Sequence, residues 1–319
     1  MDLRLGLLFA FLLFSSFVNA AASNTTPQLP THSPGSIPAG TVLRPSWIDL
    51  PYATVSPAEK LDLYLPSAGS VNPFPLIIYI HGGGWQGGDK ISPANKGLLS
   101  QMLARGYAVA SLNYRLSGEA EFPAAVRDVK AAVRWLRANA SLYNLESDHF
   151  GAWGDSAGAN LAALLGTSCG DSYLEGSQLG NSGESSCVQA VVDWFGPTDL
   201  LQMDAQSSAN GCPANHNQLS SPESQYLGAK LQTVPGLAAK ANPITYVTAG
   251  DPPFFIQHGK ADCTVPYQQS QLLYDALLPV LGSGNVTLML LDGAVHEDPQ
   301  FFASSNVDLA LAFLDQWLQ

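Results

Sequence analysis

Charged residues are scarce in this chain, and the basic ones are outnumbered by the acidic ones. Only 13% of its 319 residues are charged, and 14 Lys and Arg face 26 Asp and Glu, for a formal net charge of −12. No run of basic residues is present. This acidic balance argues against nucleic acid and anionic membranes as partners and favours solubility. We therefore expect neither a nucleic-acid nor a membrane partner.

The sequence also lacks metal-binding patterns and internal repeats. It has no zinc-type spacing of Cys and His and no H-E-x-x-H helix, so a metal is not implied. The apolar content of 46% is enough for one large core. Chains of about 250 residues in the α/β class often fold as one domain.

The start of the chain has the pattern of an export signal. An apolar stretch of 14 residues, Leu5 to Val18, follows Arg4 and ends in small residues. It is too short to span a bilayer and predicts a signal peptide over 1–20, with an uncleaved anchor as the alternative. Residues 21–45 are rich in Pro, Ser and Thr, which is typical of a disordered stem or a cleaved leader. We therefore expect a secreted protein whose remaining residues, 46–319, form a single domain.

Export permits disulfides, and four cysteines allow three pairings. We favour Cys169–Cys187, which would close a Gly- and Ser-rich loop, and Cys212–Cys263, which would tie down the polar, Pro-rich segment 202–243. This segment could form a small cap or a surface excursion. If the source glycosylates its proteins, N-x-[ST] sequons begin at Asn24, Asn139 and Asn285.

Alternating strand-like and helical runs indicate an α/β fold. The predicted strands are Leu76–Ile80, Tyr107–Asn113, His149–Trp153, Gln189–Phe195, Pro253–His258 and Val286–Leu291, preceded by an edge strand at Lys60–Leu65. The clearest helix is Ala124 to Ala140. This order predicts a doubly wound, mostly parallel sheet with sites at the carboxyl ends of its strands.

A pentapeptide of the form G-x-S-x-G, Gly154–Gly158, is the most informative motif. It lies between an apolar run, His149–Trp153, and a helical run, Ala159–Leu165. This context places Ser156 on a sharp strand-to-helix turn with its hydroxyl exposed at the edge of the sheet. Ser156 is therefore the candidate nucleophile.

A serine nucleophile needs a base, and the base needs an orienting acid. In the fold built around such a turn, the acid and then the histidine follow the serine along the chain. Asp262 and His296 each follow one of the last two predicted strands, in that order after Ser156. Asp292 and Asp298 are competing acids, but both lie on the loop of the histidine itself, so we prefer Asp262.

The other five histidines fit the role of base less well. They lie in the tail, at strand ends or in the insertion, and they are His32, His81, His149, His216 and His258. We expect His258, which directly precedes a glycine, to be a buried and hydrogen-bonded residue at the end of its strand.

The glycine run His81–Trp85 directly follows the first apolar strand. Attack on an ester carbonyl puts negative charge on oxygen, and main-chain N–H groups must meet that charge. A glycine run of this kind supplies them in lipases and esterases. We assign the donors to the N–H groups of Gly83, Gly84 and Ala157.

The same stretch also matches a dinucleotide-binding pattern, with glycines at Gly82, Gly84 and Gly87. That alternative requires an acid about 20 residues further on. No Asp or Glu occurs between Asp89 and Glu119, so we disfavour it. The aromatic residues Trp85, Trp194 and Phe195 near strand ends are candidates for the lining of a substrate pocket, although we expect at least one of them to pack in the core.

Taken together, these motifs resemble the α/β-hydrolase esterases. The branch that the chain is most similar to includes secreted bifunctional feruloyl and acetyl-xylan esterases, and it is also similar to the hormone-sensitive-lipase-like esterases. The residues that carry the likeness are Lys60–Pro66, His81–Trp85, Gly87–Lys90, Asn113–Arg115, Phe122-Pro123, Gly154–Gly158, His258–Asp262 and Val265-Pro266. The segment 169–187 is not part of the shared pattern. The resemblance implies a Ser156, Asp262 and His296 triad that hydrolyses short-acyl or hydroxycinnamoyl esters without a cofactor.

Three functions are compatible with the sequence. The first is a secreted esterase acting on acylated plant polysaccharide or similar esters. The second is a lipase- or formamidase-like hydrolase on the same fold, against which the lack of a long apolar lid argues. The third is a non-catalytic binding protein, although such proteins usually lack a triad member or the glycine run.

Overall fold

An eight-stranded sheet organises the computed structural model, which describes residues 43–66, 72–92 and 95–319. Its strands are β1 (Trp47–Pro51), β2 (Lys60–Tyr64), β3 (Phe74–Ile80), β4 (Ala108–Leu112), β5 (Leu145–Asp155), β6 (Ala190–Trp194), β7 (Phe254–Gly259) and β8 (Val286–Leu291). They lie in the order β1-β2-β4-β3-β5-β6-β7-β8. Strands β3 to β8 are all parallel to one another. Strand β2 is antiparallel to both of its neighbours, β1 and β4. The prediction of a mostly parallel α/β sheet is therefore confirmed.

The predicted signal peptide, 1–20, and all but the end of the predicted stem, 21–45, lie outside the described residues. Among the described helices, none is long and apolar enough to cross a membrane.

The prediction of an edge strand at Lys60–Leu65 is wrong. The strand β2 is covered by β1, which we did not predict and which forms the actual edge. The polar residue that suggested a solvated face, Asp62, is fully buried and paired with Lys90 at 2.8 Å. An alternating pattern can therefore arise from a buried ion pair as well as from solvent.

Helices cover both faces of the sheet. They are α1 (Lys96–Ala104), α2 (Ala124–Ala138), α3 (Ala157–Thr167), α4 (Met203–Ala209), α5 (Pro222–Leu227), α6 (Pro235–Lys240), α7 (Gln268–Leu281), α8 (Pro299–Phe302) and α9 (Ser304–Leu318). The helices α2, α3 and α7 pack in one hydrophobic core, and α1 and α9 pack in the other. Because successive side chains of a strand point to opposite faces, β3 gives Ile78 to the first core and Tyr79 to the second.

Two disulfides are present, and both predicted pairings are confirmed. They join Cys169 to Cys187 and Cys212 to Cys263. The second bridge links the segment 202–243, which contains α4, α5 and α6, to the loop after β7. The same segment also reaches the glycine run.

The contact between this segment and the glycine run is aromatic. The ring of Tyr226 stacks on Trp85 with 4.2 Å between centroids and 3° between planes. The side chain of Pro222 lies so close to Gly84 that a Cβ there would be 3.1 Å from it. The segment therefore packs on the glycine run.

Candidate active site

The turn between β5 and α3 holds Ser156 in a strained backbone conformation. Its φ of 51° and ψ of −122° lie outside the regions that non-glycine residues favour. The turn closes only because Gly154 has no side chain, since a Cβ there would lie 2.2 Å from the carbonyl oxygen of Gly158. This is the sharp strand-to-helix geometry that presents a serine hydroxyl at the top of such a sheet.

Three predicted residues meet at this turn in a hydrogen-bonded chain. The Oγ of Ser156 lies 2.9 Å from Nε2 of His296, and Nδ1 of His296 lies 2.6 Å from Oδ2 of Asp262. With the ring proton on Nδ1, the imidazole donates to the carboxylate and its Nε2 can accept the proton of the serine. The arrangement can therefore move a proton away from Ser156.

Both oxygens of the Asp262 carboxylate have hydrogen-bond partners. Its Oδ1 accepts hydrogen bonds from the backbone N–H groups of Thr264 at 2.8 Å and Val265 at 2.9 Å. Its Oδ2 faces a second histidine, His258, at 3.3 Å. Burial favours the neutral acid, but hydrogen bonds from His258 and His296 outweigh it and hold the pKa of Asp262 well below its usual range. Asp262 is therefore ionised.

The ring of His296 is held from the side by Phe195, at 4.8 Å between centroids in an edge-to-face arrangement. His258 is fully buried and hydrogen-bonded, as we expected: its ring nitrogens lie 2.7 Å from Oγ of Ser270 and 2.9 Å from the carbonyl oxygen of Val265. The role of His258 as a second partner of the acid was not predicted.

The two competing acids serve other purposes. Asp292 is exposed and paired with Lys260 at 2.8 Å. Asp298 accepts the N–H of Gln300 at the start of α8. Neither is hydrogen-bonded to His296 in the described structure.

The glycine run forms a tight turn beside the serine. Gly83 and Gly84 have φ values of 111° and 60°, which favour glycine. A Cβ on Gly83 would lie 2.3 Å from the carbonyl oxygen of Gly87, so no other residue fits there without movement. Ala157 is the first residue of α3, where N–H groups have no partner within the helix. The dinucleotide pattern would require a helix directly after the run, whereas α1 begins only at Lys96.

A cleft of about 420 Å³ opens beside this turn. Its lining residues are His81, Gly82, Gly83, Gly88, Asp89, Ile91, Ser92, Asn95, Asp155, Glu297 and Phe302. Three carboxylates therefore face a space that borders the serine turn. Among the described residues, no group of three His, Cys, Asp or Glu is placed to hold a metal ion.

The two tryptophans that we predicted as pocket candidates are both buried. Trp194 has no exposed surface and packs edge-to-face against Trp153 and Phe302. Trp85 is 1% exposed beneath Tyr226. Both rings lie near the site, but they are buried behind the residues that line the cleft and do not themselves line it. Phe302 and Glu297, which do line the cleft, had no recognisable signal in the sequence.

A further buried group, Asp155, lies between the serine turn and the glycine turn. Its Oδ1 accepts a hydrogen bond from the hydroxyl of Tyr79 at 2.5 Å, and its Oδ2 accepts the N–H of Gly82 at 3.2 Å. In the sequence this residue only occupies a variable position of the G-x-S-x-G motif.

Comparison with known proteins identifies the family. The BD-FAE family model matches residues 61–277, which is most of the described chain. This chain belongs to the BD-FAE family. Its fold is the α/β-hydrolase fold that the sequence predicted, with a mostly parallel eight-stranded sheet and helices on both faces.

Two solved structures have a TM-score of 0.76 and cover 85% of this chain. One is a truncated form of a carbohydrate esterase from gut microbiota, 32% identical in sequence, and the match includes 95% of that protein's chain. The other is the bifunctional GH43-CE protein of Bacteroides eggerthii, 33% identical, and the match includes 35% of that protein's chain.

Among curated proteins, the chain is similar to two esterases of Mycobacterium tuberculosis. It is 32% identical to Esterase LipQ over 78% of this chain and 56% of that protein. It is 29% identical to Esterase LipC over 75% of this chain and 57% of that protein. The chain thus spans little more than half the length of these relatives.

Proposed function

We propose that this protein is a serine carboxylic-ester hydrolase. The observation that carries the proposal is the hydrogen-bonded chain from Ser156 through His296 to Asp262, beside a glycine turn. Esterases among the relatives support the same chemistry.

In the proposed reaction, Nε2 of His296 takes the proton of Ser156 as Oγ attacks the ester carbonyl carbon. The carbonyl oxygen becomes an oxyanion, which the N–H groups of Gly83, Gly84 and Ala157 stabilise. Asp262 holds the imidazole in the reactive tautomer and stabilises its cationic form.

The intermediate then collapses to an acyl-enzyme. The alcohol leaves with the proton that His296 had taken. A water molecule next gives a proton to His296 and attacks the acyl carbonyl, and the carboxylic acid leaves as Ser156 regains its proton. No cofactor enters any step.

We further propose that the natural substrates are short-acyl or hydroxycinnamoyl esters carried on plant polysaccharide. Support comes from the similarity to a carbohydrate esterase and to a bifunctional GH43-CE protein over most of the described chain. The alternative is a small-molecule or lipid carboxylesterase. The similarity to the mycobacterial esterases supports this alternative.

Export is part of the same proposal. The signal-like segment 1–20 and the two disulfides fit an extracellular enzyme. We propose residues 46–319 as its catalytic domain and the segment 202–243 as a small cap, since this segment packs on the glycine turn.

The test is acid release from acetylated xylan and from feruloylated arabinoxylan, separated by chromatography. Wild type is compared with Ser156→Ala and with Ser100→Ala, which removes a hydroxyl on the exposed face of α1. Acetate or ferulate released by wild type and Ser100→Ala alone supports the proposal. Release of neither acid, by a protein whose Ser156 reacts with a fluorophosphonate, selects the small-molecule alternative.

A further inference from the structure

The carboxylate of Asp155 joins the two turns that form the site. Its Oδ1 accepts the hydroxyl proton of Tyr79, which lies on the neighbouring strand β3, and its Oδ2 accepts the N–H of Gly82. It also packs directly on Gly82, since a Cβ on that glycine would lie 2.6 Å from Oδ2. Both oxygens are therefore used, one to anchor the side chain and one to hold the glycine turn.

The turn held in this way is the one that carries the proposed oxyanion donors. Gly82 directly precedes Gly83, so fixing its N–H and its Cα limits where the next peptide N–H points. Asp155 itself directly precedes Ser156. One side chain thus sets the position of the glycine turn relative to the nucleophile.

The ionised carboxylate accepts both hydrogen bonds as they stand. A proton on Oδ2 would face the N–H of Gly82 with another donor and remove that hydrogen bond, whereas a proton on Oδ1 would have to be accepted by the oxygen of Tyr79 in place of the bond that its hydroxyl donates. The pKa of Asp155 is raised to about 6, chiefly by burial and also by the charge of Glu297, although the hydrogen bond from Tyr79 acts in the opposite direction. His296 and Tyr114 are the other titratable groups that act on this carboxylate.

We propose that Asp155 is a positioning residue that holds the glycine turn in its oxyanion-binding form, with Tyr79 as its anchor. The inference rests on the proposed ester hydrolysis and concerns the same site. It makes the geometry of the oxyanion donors depend on the ionisation of a buried acid.

The test is the pH dependence of kcat for a soluble acetate ester in Tyr79→Phe. Loss of the hydroxyl removes a hydrogen bond that favours the ionised form, so the acid limb of kcat moves to higher pH. We expect kcat on the plateau to fall about tenfold with KM changed less than about twofold, which is milder than the loss of a donor itself.

The matched control is Tyr107→Phe. Tyr107 also donates to a carboxylate, that of Asp315 at 2.9 Å, but it lies just before the amino end of β4, away from the site. We expect the acid limb of kcat in Tyr107→Phe to lie at the same pH as in the wild type. An acid limb of Tyr79→Phe that coincides with that of the wild type overturns the proposal.

If Tyr79→Phe does not fold, Asp155→Asn decides. Its amide oxygen can accept from Gly82 and its NH₂ group can donate to the oxygen of Tyr79 at every pH. The slope of log kcat against pH on the acid limb then becomes shallower than in the wild type, because the residue at position 155 no longer titrates. An unchanged slope overturns the proposal. Absence of turnover and of fluorophosphonate labelling in the wild type would instead overturn the proposed function.

Discussion

His258 and His296 share one carboxylate oxygen. Their ring nitrogens lie 3.3 Å and 2.6 Å from Oδ2 of Asp262, and of the two His258 is fully buried while His296 also contacts Ser156. The acid of the proposed triad therefore has a second histidine as a partner, and this histidine is hydrogen-bonded to Ser270 and Val265 and not to Ser156.

We predict that His258→Asn lowers kcat about tenfold, far less than the loss of about 10⁴ that follows when a triad acid becomes an amide. The acid keeps its charge but loses one of the hydrogen bonds that direct it toward His296. Steady-state kinetics on an aryl acetate measures this. His149→Gln is the control, because it removes a half-exposed histidine that is paired with Glu146. Equal kcat values for the two variants would contradict the prediction.

We predict that Gly83→Ala lowers kcat by about 10²-fold or more, because the added Cβ collides with the carbonyl oxygen of Gly87 and displaces a proposed oxyanion donor. Gly87→Ala is the control, since a Cβ there meets nothing within 4 Å. The kcat values of both variants and their far-UV spectra are the measurement. A folded Gly83→Ala protein with near-normal kcat would show that this glycine is not needed.

Removing each disulfide should separate stability from catalysis. The bridges close loops with sequence separations of 18 and 51, so their loss is expected to cost roughly 3 and 4 kcal/mol in the chain-entropy account. Only Cys212→Ala with Cys263→Ala should also lower kcat, because Cys263 is next to Asp262. Urea unfolding and kinetics on both double variants measure this, and equal effects on kcat would argue against a tethered acid loop.

The buried acid Asp193 provides a test of stability against pH. Burial raises its pKa to about 6 from 3.8, although the N–H of Gly196 lowers it. The stability that the neutral acid contributes is present below the unfolded pKa and is lost as the pH rises through about 6. At about pH 8 the free energy of unfolding of Asp193→Asn, measured by urea titration, should therefore exceed that of the wild type by roughly 3 kcal/mol, and at about pH 4 the two should differ little. A gain that is the same at both pH values would contradict this.

The carboxylates of the cleft should discriminate against anionic esters. Asp89 and Glu297 face the same space, so para-acetoxybenzoate should have a kcat/KM about tenfold below that of neutral para-acetoxybenzamide at low salt. Added salt should narrow the gap, and so should Glu297→Gln. Asp292→Asn removes an exposed charge from the same loop, outside the cleft lining, and should leave the gap unchanged. Equal rates for both esters at low salt would refute charge selection.

The sequence was most informative where the backbone dictates the residue. The glycines at 154 and 83 are required by close approaches of main chain, and such requirements leave a motif that can be read without a structure. The parallel strands β3 and β4 were found because they are buried along almost their whole length and are therefore nearly continuous apolar runs.

Other features depend on partners that are distant in the chain. The edge strand β1 has an exposed, irregular pattern, and the buried charge of Asp62 is understandable only once Lys90 lies beside it. The pairing of Asp155 with Tyr79 joins residues 76 positions apart, and no local pattern announces it. The same holds for the lining of the cleft by Glu297 and Phe302.

The stacking of Tyr226 on Trp85 has a consequence for how substrate preference could change in this enzyme. The segment 202–243, which we propose as a cap, contacts the glycine turn through this aromatic pair, so a substitution that reshapes the segment is expected also to move the peptide groups that we propose bind the oxyanion. A single substitution in the segment would then change both the substrate preference and kcat. Substitutions of Tyr226 that are selected for acceptance of a new acyl group would need a second substitution in the glycine turn to restore kcat.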